Sequence, residues 1–232
     1  MIGEALAVET TPYILKAISE IELFFSGLGI RYSKPSSGAF QRLAELPPEE
    51  LAKVAERVEL IWRSLMELKN EPSAKDGVTR EVESLKRILK ALNLRPVDDL
   101  TNLIQDGDIV EIYDSSGYQL YHNLEWLQYS SYSLLDVMVY PFQELFERPT
   151  LVTQQLWEEG KEVYYAYSPF TKQMEVPPHT IRERLSPEGR CFLIDFKYIT
   201  PLLDENGQSK AVLVTQRANR VEQQYAEHLN FI

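Results

Sequence analysis

Few residues in this chain are placed to do chemistry. The three histidines, His122, His179 and His228, stand far apart with no metal-ligand spacing, and a metal site needs clustered ligands. One cysteine, Cys191, excludes an internal disulfide and any multi-cysteine zinc site. Ser130, Ser131 and Ser133 lack a nucleophile-elbow context. Carboxylates are plentiful, at 35 Asp and Glu, but nothing in their spacing pairs two of them as general acid and base. No catalytic constellation and no metal site emerges, so a non-enzymatic chain is expected.

Charge narrows the partners. The chain carries −11 overall; residues 1–100 hold 14 Lys and Arg against 16 Asp and Glu, while residues 101–232 hold 10 against 19. So acidic a second part repels phosphate backbones and anionic membrane surfaces, which disfavours nucleic acid and membrane as partners. No apolar run approaches the roughly 20 residues that span a bilayer. The opening MIGEALAVETTPY has neither the basic start nor the apolar stretch of a secretory signal, so a cytoplasmic location is the expectation.

The elements come in two kinds. Residues 1–100 read as helical, with helices at about 11–28, 48–69 and 76–93. Thr10-Thr11-Pro12 can cap the first, in which Ile14, Ala17, Ile18, Ile21, Phe24, Phe25 and Leu28 recur at helical spacing. RYSKPSSGAF then reads as a loop. In the second helix Leu51, Val54, Val58, Ile61, Leu65 and Leu68 step by 3 and 4, a heptad seam. Val78, Val82, Leu85 and Leu89 repeat the device in the third. Two arrangements satisfy this seam: antiparallel helices packed within one chain, or a homodimer. Trp62 reads as a seam or core anchor.

Beyond about residue 105 the period becomes 2. Ile109, Glu111 and Tyr113 share one strand face and Val110 and Ile112 the other, with a turn at Asp114-Ser-Ser-Gly117. Gly117 is expected at positive φ, and Asp114 is expected to bond its own backbone at the corner. Residues 124–148 read as short helical turns and residues 149–160 as a fuller helix. Three strands are expected at 161–168 (KEVYYAYS), 190–200 (RCFLIDFKYIT) and 209–216 (SKAVLVTQ), and a helix over 217–232. In the second of these strands, Phe192, Ile194, Phe196 and Tyr198 share a face. The expectation is therefore an α+β chain: an N-terminal helical region, a five-stranded antiparallel sheet over 105–216 with helices on one face, and a C-terminal helix.

Several fragments carry a family resemblance. Asp114-Ser-Ser-Gly117 followed by Asn123, then Tyr129-Ser-Ser-Tyr-Ser-Leu-Leu135, Glu144-Leu-Phe146, and Pro201-Leu-Leu-Asp-Glu-Asn-Gly207 leading into Ala211-Val-Leu-Val-Thr215 resemble, in order and spacing, the PAS family of sensory domains. The resemblance covers about half of the chain and departs from the family at Thr215-Gln-Arg217, where "D-I-T" is usual. It implies a sensor of the kind found in two-component signal transduction, acting through helices or a dimer on an output domain. The apolar ending Leu229-Asn-Phe-Ile232 adds the expectation that the natural protein continues.

Within that resemblance, cofactor chemistry can be weighed. The light-sensing relatives need a Cys in a helical "N-C-R" motif, whereas Cys191 lies in a strand. The haem-binding relatives use a His on the helix before the third strand, and residues 149–160 contain none. Tyr225-Ala-Glu-His228 lacks the Leu-Arg-x-Pro continuation of a phospho-accepting histidine. No cofactor is expected; a small-molecule ligand stays open. Its pocket would be lined by Phe146, Leu156, Tyr165, Phe192, Ile194 and Phe196, although aromatic strand residues ordinarily fill a core. The two function readings are a sensory regulatory module that works with a second copy or a signalling partner, and a protein-interaction scaffold with a filled core.

Overall fold

A computed structural model describes residues 2–27, 32–69, 78–186 and 188–221, with backbone alone for residues 2–9, 63–69, 78–80 and 128. The order is α1 (Ile2–Gly27), α2 (Ser37–Glu45), α3 (Pro48–Lys69), α4 (Val78–Ala91), β1 (Arg95–Pro96), α5 (Leu100–Leu103), β2 (Ile109–Asp114) and β3 (Gln119–His122). There follow α6 (Leu124–Tyr129), α7 (Leu134–Val139), α8 (Phe142–Leu145), β4 (Phe146–Glu147), α9 (Thr150–Tyr164), β5 (Lys172–Gln173), β6 (His179–Glu183), β7 (Cys191–Leu203) and β8 (Ser209–Val221).

The strands form one antiparallel sheet in the order β3-β2-β8-β7-β6-β4, with β1 and β5 pairing β7 off that path. The chain is α+β. Among the described residues its sheet has eight strands rather than five, because β1, β4 and β5 each add a ladder of only two residues. Both hairpin corners rest on local chemistry. The Asp114 carboxylate accepts from the backbone N–H of Ser116 at 2.8 Å and of Tyr118 at 3.0 Å, and Gly117 takes φ +80°. A side chain at Gly117 would also strike Phe142 and Gln143, so the turn docks where only glycine fits. Asp204 and Gly207 repeat the device between β7 and β8.

Four expectations are corrected. Residues 161–168 are not a strand: α9 runs through Tyr164, and the strand is instead β6, inside residues 169–189, a stretch that holds four prolines. The aromatic run at 163–167 suits a strand by composition, but this backbone makes no ladder. RYSKPSSGAF is not all loop, because Ser36 caps α2 through its hydroxyl. Pro12 lies inside α1 rather than at its start. Residues 217–221 continue β8 instead of opening a helix; the rest of that expected helix lies outside the described residues.

Alternation along β7 also breaks. Phe196 pairs Gln216 and Tyr198 pairs Thr215, so Lys197 is the extra residue of a bulge. Tyr198 is thereby turned from the Phe192, Ile194 and Phe196 face to the opposite one, and Ile199 takes its place. The ammonium of Lys197 bonds the buried Asp108 carboxylate at 2.5 Å, which Arg217 also meets at 3.0 Å. This ion cluster holds the bulge in register.

The helical region and the sheet share a core. Ile14, Ile18 and Ile21 of α1 pack with Leu51, Val54 and Val58 of α3 and with Leu134, Leu135 and Met138 of α7, continuous with Phe192 and Ile194. Ile61 is partly buried against the same cluster. Val82, Leu85 and Leu89 of α4 cover the other sheet face, against Val110, Ile112 and Leu213. The described heptad positions are therefore buried within one chain, in two separate cores; the side chains of Leu65 and Val78 lie outside the described residues. Trp62 donates to the Glu20 carboxylate at 3.0 Å. Among the described residues no helix is long and apolar enough to cross a membrane.

Asp136 joins the two regions. Its buried carboxylate accepts from the Ser36 hydroxyl at 2.5 Å and the Ser36 N–H at 3.2 Å, and from the Ser133 hydroxyl at 2.6 Å and N–H at 3.0 Å. One side chain thus completes the capping box of α7 and holds the cap residue of α2. Asp136→Ala is expected to lower the unfolding free energy by about 3 kcal/mol, and Ser36→Ala by about 1 kcal/mol, measured by urea denaturation.

Candidate functional site

One face of the sheet meets α6, α8 and α9 without filling the space between them. The result is a cavity of about 140 Å³. β2 contributes Ile109, Glu111 and Tyr113, β8 contributes Val212, Val214, Gln216 and Ala218, and β7 contributes Phe192, Ile194, Phe196 and Ile199. The helices add Trp126, Tyr129, Phe142, Leu156, Trp157 and Tyr164. Asn123 sets the approach of α6: its side-chain oxygen accepts from the N–H groups of Val110 and Trp126, and its amide donates to the Asp108 carbonyl at 2.8 Å.

All six pocket residues expected from the sequence border this cavity: Phe146, Leu156, Tyr165, Phe192, Ile194 and Phe196. Five are largely enclosed. Tyr165, expected on a strand, instead follows α9 and is 71% exposed, touching the cavity only at its rim. The polar members Glu111, Gln216 and Arg148 were not foreseen. A signal existed for Glu111, since strict alternation sets it between Ile109 and Tyr113 on one face.

Glu111 is the chemical centre. It is 2% exposed, and its two oxygens accept from the side-chain amides of Gln119 and Gln216. Burial pushes its carboxyl up to about 7, against the opposing pull of the Tyr113 hydroxyl, Arg148, Trp126 and Gln119. Burial also raises the Tyr113 hydroxyl well above its ordinary range, with the Glu111 charge adding to it.

From Glu111 a hydrogen-bond relay leaves the cavity. Gln119 gives its N–H to Glu111, so its oxygen faces His122 Nδ1 at 3.0 Å. An amide oxygen can only accept, so Nδ1 carries the proton. His122 Nε2 is then the acceptor for the Tyr32 hydroxyl at 3.0 Å. Burial holds His122 neutral by lowering its pKa to about 3. Tyr32, just before α2, packs edge-on to Phe25 of α1. The relay joins the cavity to the N-terminal helices.

Its polarity is set by one proton. A protonated Glu111 oxygen on the Gln119 side donates to that amide once Gln119 turns to accept. The turned amide donates to His122 Nδ1, the imidazole proton moves to Nε2, and Tyr32 becomes an acceptor. Tyr32 thereby releases its own proton for another partner; Glu22 of α1 acts on it electrostatically and has a buried oxygen with no hydrogen bond. Gln216 offers a second route, because its own side-chain oxygen is buried with no hydrogen-bond partner among the described residues and would meet the Glu111 proton if that amide turned; an occupant that holds Gln216 in place directs the proton to Gln119.

The other histidines serve locally or lie elsewhere. His179 meets the Pro177 carbonyl at 2.9 Å and stacks on Phe196; burial lowers its pKa to about 4. His228 lies outside the described residues. Cys191 opens β7, buried, with its thiol pushed up by burial. Among the described residues no group of three or more His, Cys, Asp or Glu is placed to hold a metal ion.

No family model and no curated protein matches this chain. Among solved structures, a sensory box sensor histidine kinase from Vibrio cholerae is 13% identical, with 62% of this chain and 99% of that one covered and a TM-score of 0.34. A second, described as "Flavin Analogue Sheds Light on Light-Oxygen-Voltage Domain Mechanism", is 16% identical, with 62% and 90% covered and a TM-score of 0.35.

The pH response follows from two groups of opposite sign. Between 4.5 and about 7 the folded chain keeps the Glu111 proton that the unfolded chain has released, so stability falls as pH rises through that window. His122 is near 6.5 unfolded and near 3 folded, so its contribution falls as pH drops from 6.5 toward 3. Comparing wild type with Glu111→Gln cancels the histidine part. The wild type's stability relative to this variant should drop by on the order of 3 kcal/mol from pH 4.5 to pH 7.5, read by urea denaturation at each pH.

Proposed function

We propose that this chain is a sensory regulatory module that binds a small molecule in the cavity and reports it to its helices. The observation that carries this reading is the continuous relay Glu111–Gln119–His122–Tyr32, whose one end faces the cavity and whose other end meets the α1 and α2 side. An occupant that changes the charge of Glu111, or holds Gln216 in place, biases the direction of the whole relay. The sequence resemblance to PAS sensory domains supports the same reading, as does an antiparallel sheet that unites two strands before a helical insert with strands after it.

In this proposal the chain performs no reaction itself. It acts in the cytoplasm within a signal-transduction protein, and passes the state of its helices to an output domain or to a second copy. A rigid core shared by α1, α3 and α7 suits that transfer, because packed helices move as a unit rather than deform. A second reading, an interaction scaffold, is favoured by the exposed Tyr165, Tyr167 and Phe170 after α9.

Native mass spectrometry separates the two. The sensory reading predicts a species heavier than the 26.9 kDa chain by one small molecule, lost in Ala218→Leu, which fills the cavity. A bare chain mass for both proteins supports the scaffold; a doubled mass reports a dimer.

A further inference from the structure

The cavity does not end at its apolar walls. Beside it, on the surface, lies a recess that shares Phe146, Arg148, Trp157 and Lys161 with the cavity and adds Arg184 and Glu158. Three cations therefore border this mouth in a chain of net charge −11. Among the described residues none of Arg148, Lys161 and Arg184 makes an ion pair with a carboxylate, whereas neighbouring Arg182 and Arg190 pair with Glu147 and Glu188. Arg148 is fixed over the Phe142 ring at 5.3 Å, and its buried Nε has no hydrogen-bond partner. A guanidinium so placed holds donors in a planar fork that matches a carboxylate. Its own electrostatic partners, Glu111 and Tyr113, lie on the cavity side.

We infer that the occupant is a small aromatic or branched apolar monocarboxylate, its body in the cavity and its carboxylate at the mouth on Arg148, Lys161 and Arg184. This deepens the sensory reading above and rests on it. Size sets the body: about 140 Å³ is close to the ~150 Å³ of an apolar cavity that takes one benzene ring. Charge sets the head, because three cations face one carboxylate, Glu158, in the recess. A neutral head would leave the Arg148 donors without a charged acceptor, and a cationic one would be repelled. The acid ligand also sits within the field of Glu111, so its arrival favours the protonated Glu111 that reverses the relay.

Titration calorimetry with benzoate, phenylacetate and their neutral amides tests this on the full chain. The carboxylates are expected to bind at least tenfold more tightly than the amides. Arg148→Gln should erase that advantage while leaving amide binding in place. Lys161→Gln combined with Arg184→Gln, both exposed positions, should reduce it severalfold and does so without risk to folding. Equal binding of acids and amides would overturn the carboxylate inference while the sensory cavity stands. Binding of neither class, with wild type and Ala218→Leu each running at its own bare chain mass, would overturn both.

Discussion

A carboxylate buried with no salt-bridge partner and no backbone donor among the described residues is the constraint on which this structure turns. Among the described residues five acidic side chains are deeply buried, and four of them are met in the ordinary way. Asp108 has Lys197 and Arg217. Asp136 has the N–H and hydroxyl groups of Ser36 and Ser133. Glu183 accepts from Ser131 and from the Arg190 N–H, and Glu159 from the Glu175 N–H with Lys172 nearby. Each of these ties one element to another. Glu111 is met by two side-chain amides, with the Tyr113 hydroxyl, Arg148 and Trp126 adding a pull that burial outweighs. Amides compensate a buried charge weakly, so its proton is released near neutral pH rather than near 4.5. The same amides can turn, which makes the group a switch instead of a clamp.

The clamps exist to present that switch. The Asp108 cluster fixes the Lys197 bulge, which keeps Phe192, Ile194, Phe196 and Ile199 on the cavity wall while sending Tyr198 to the other core. The Asn123 cap lowers Trp126 onto His122, with ring centroids 4.5 Å apart. Asp136 fastens α2 and α7. Arg57 of α3 reaches the Met138 carbonyl at 2.9 Å and covers the Tyr118 ring at 4.4 Å. The helical layer is therefore anchored on the hairpin that carries both Glu111 and Gln119, and movement at one is felt by the other.

Legibility in the sequence followed the range of the interaction. The hairpin corners were readable because Asp114, Gly117, Asp204 and Gly207 act within four residues of themselves. The faces of β2 were readable because a regular strand alternates. Phe192, Ile194 and Phe196 were readable for the same reason, up to the bulge. Tyr198 was misplaced because a bulge depends on Asp108, 89 residues away. The tyrosines at 164, 165 and 167 imitated a strand by composition while serving as helix end and exposed rim. β6 was hidden by prolines, since its backbone partners lie on β7. The relay could not be seen at all: Tyr32 and His122 are 90 residues apart, and a lone histidine reads as surface or structure until its neighbours are known.

The ring of His122 reports the central claim directly. Its two nitrogen-15 shifts, assigned with the His122→Phe variant, identify which nitrogen carries the proton. The account predicts a neutral imidazole protonated at Nδ1 at pH 8, changing to Nε2 as Glu111 takes up its proton near pH 7, with no imidazolium formed down to pH 5. A ring that keeps its Nδ1 proton throughout, or that titrates at an ordinary 6.5, would contradict it.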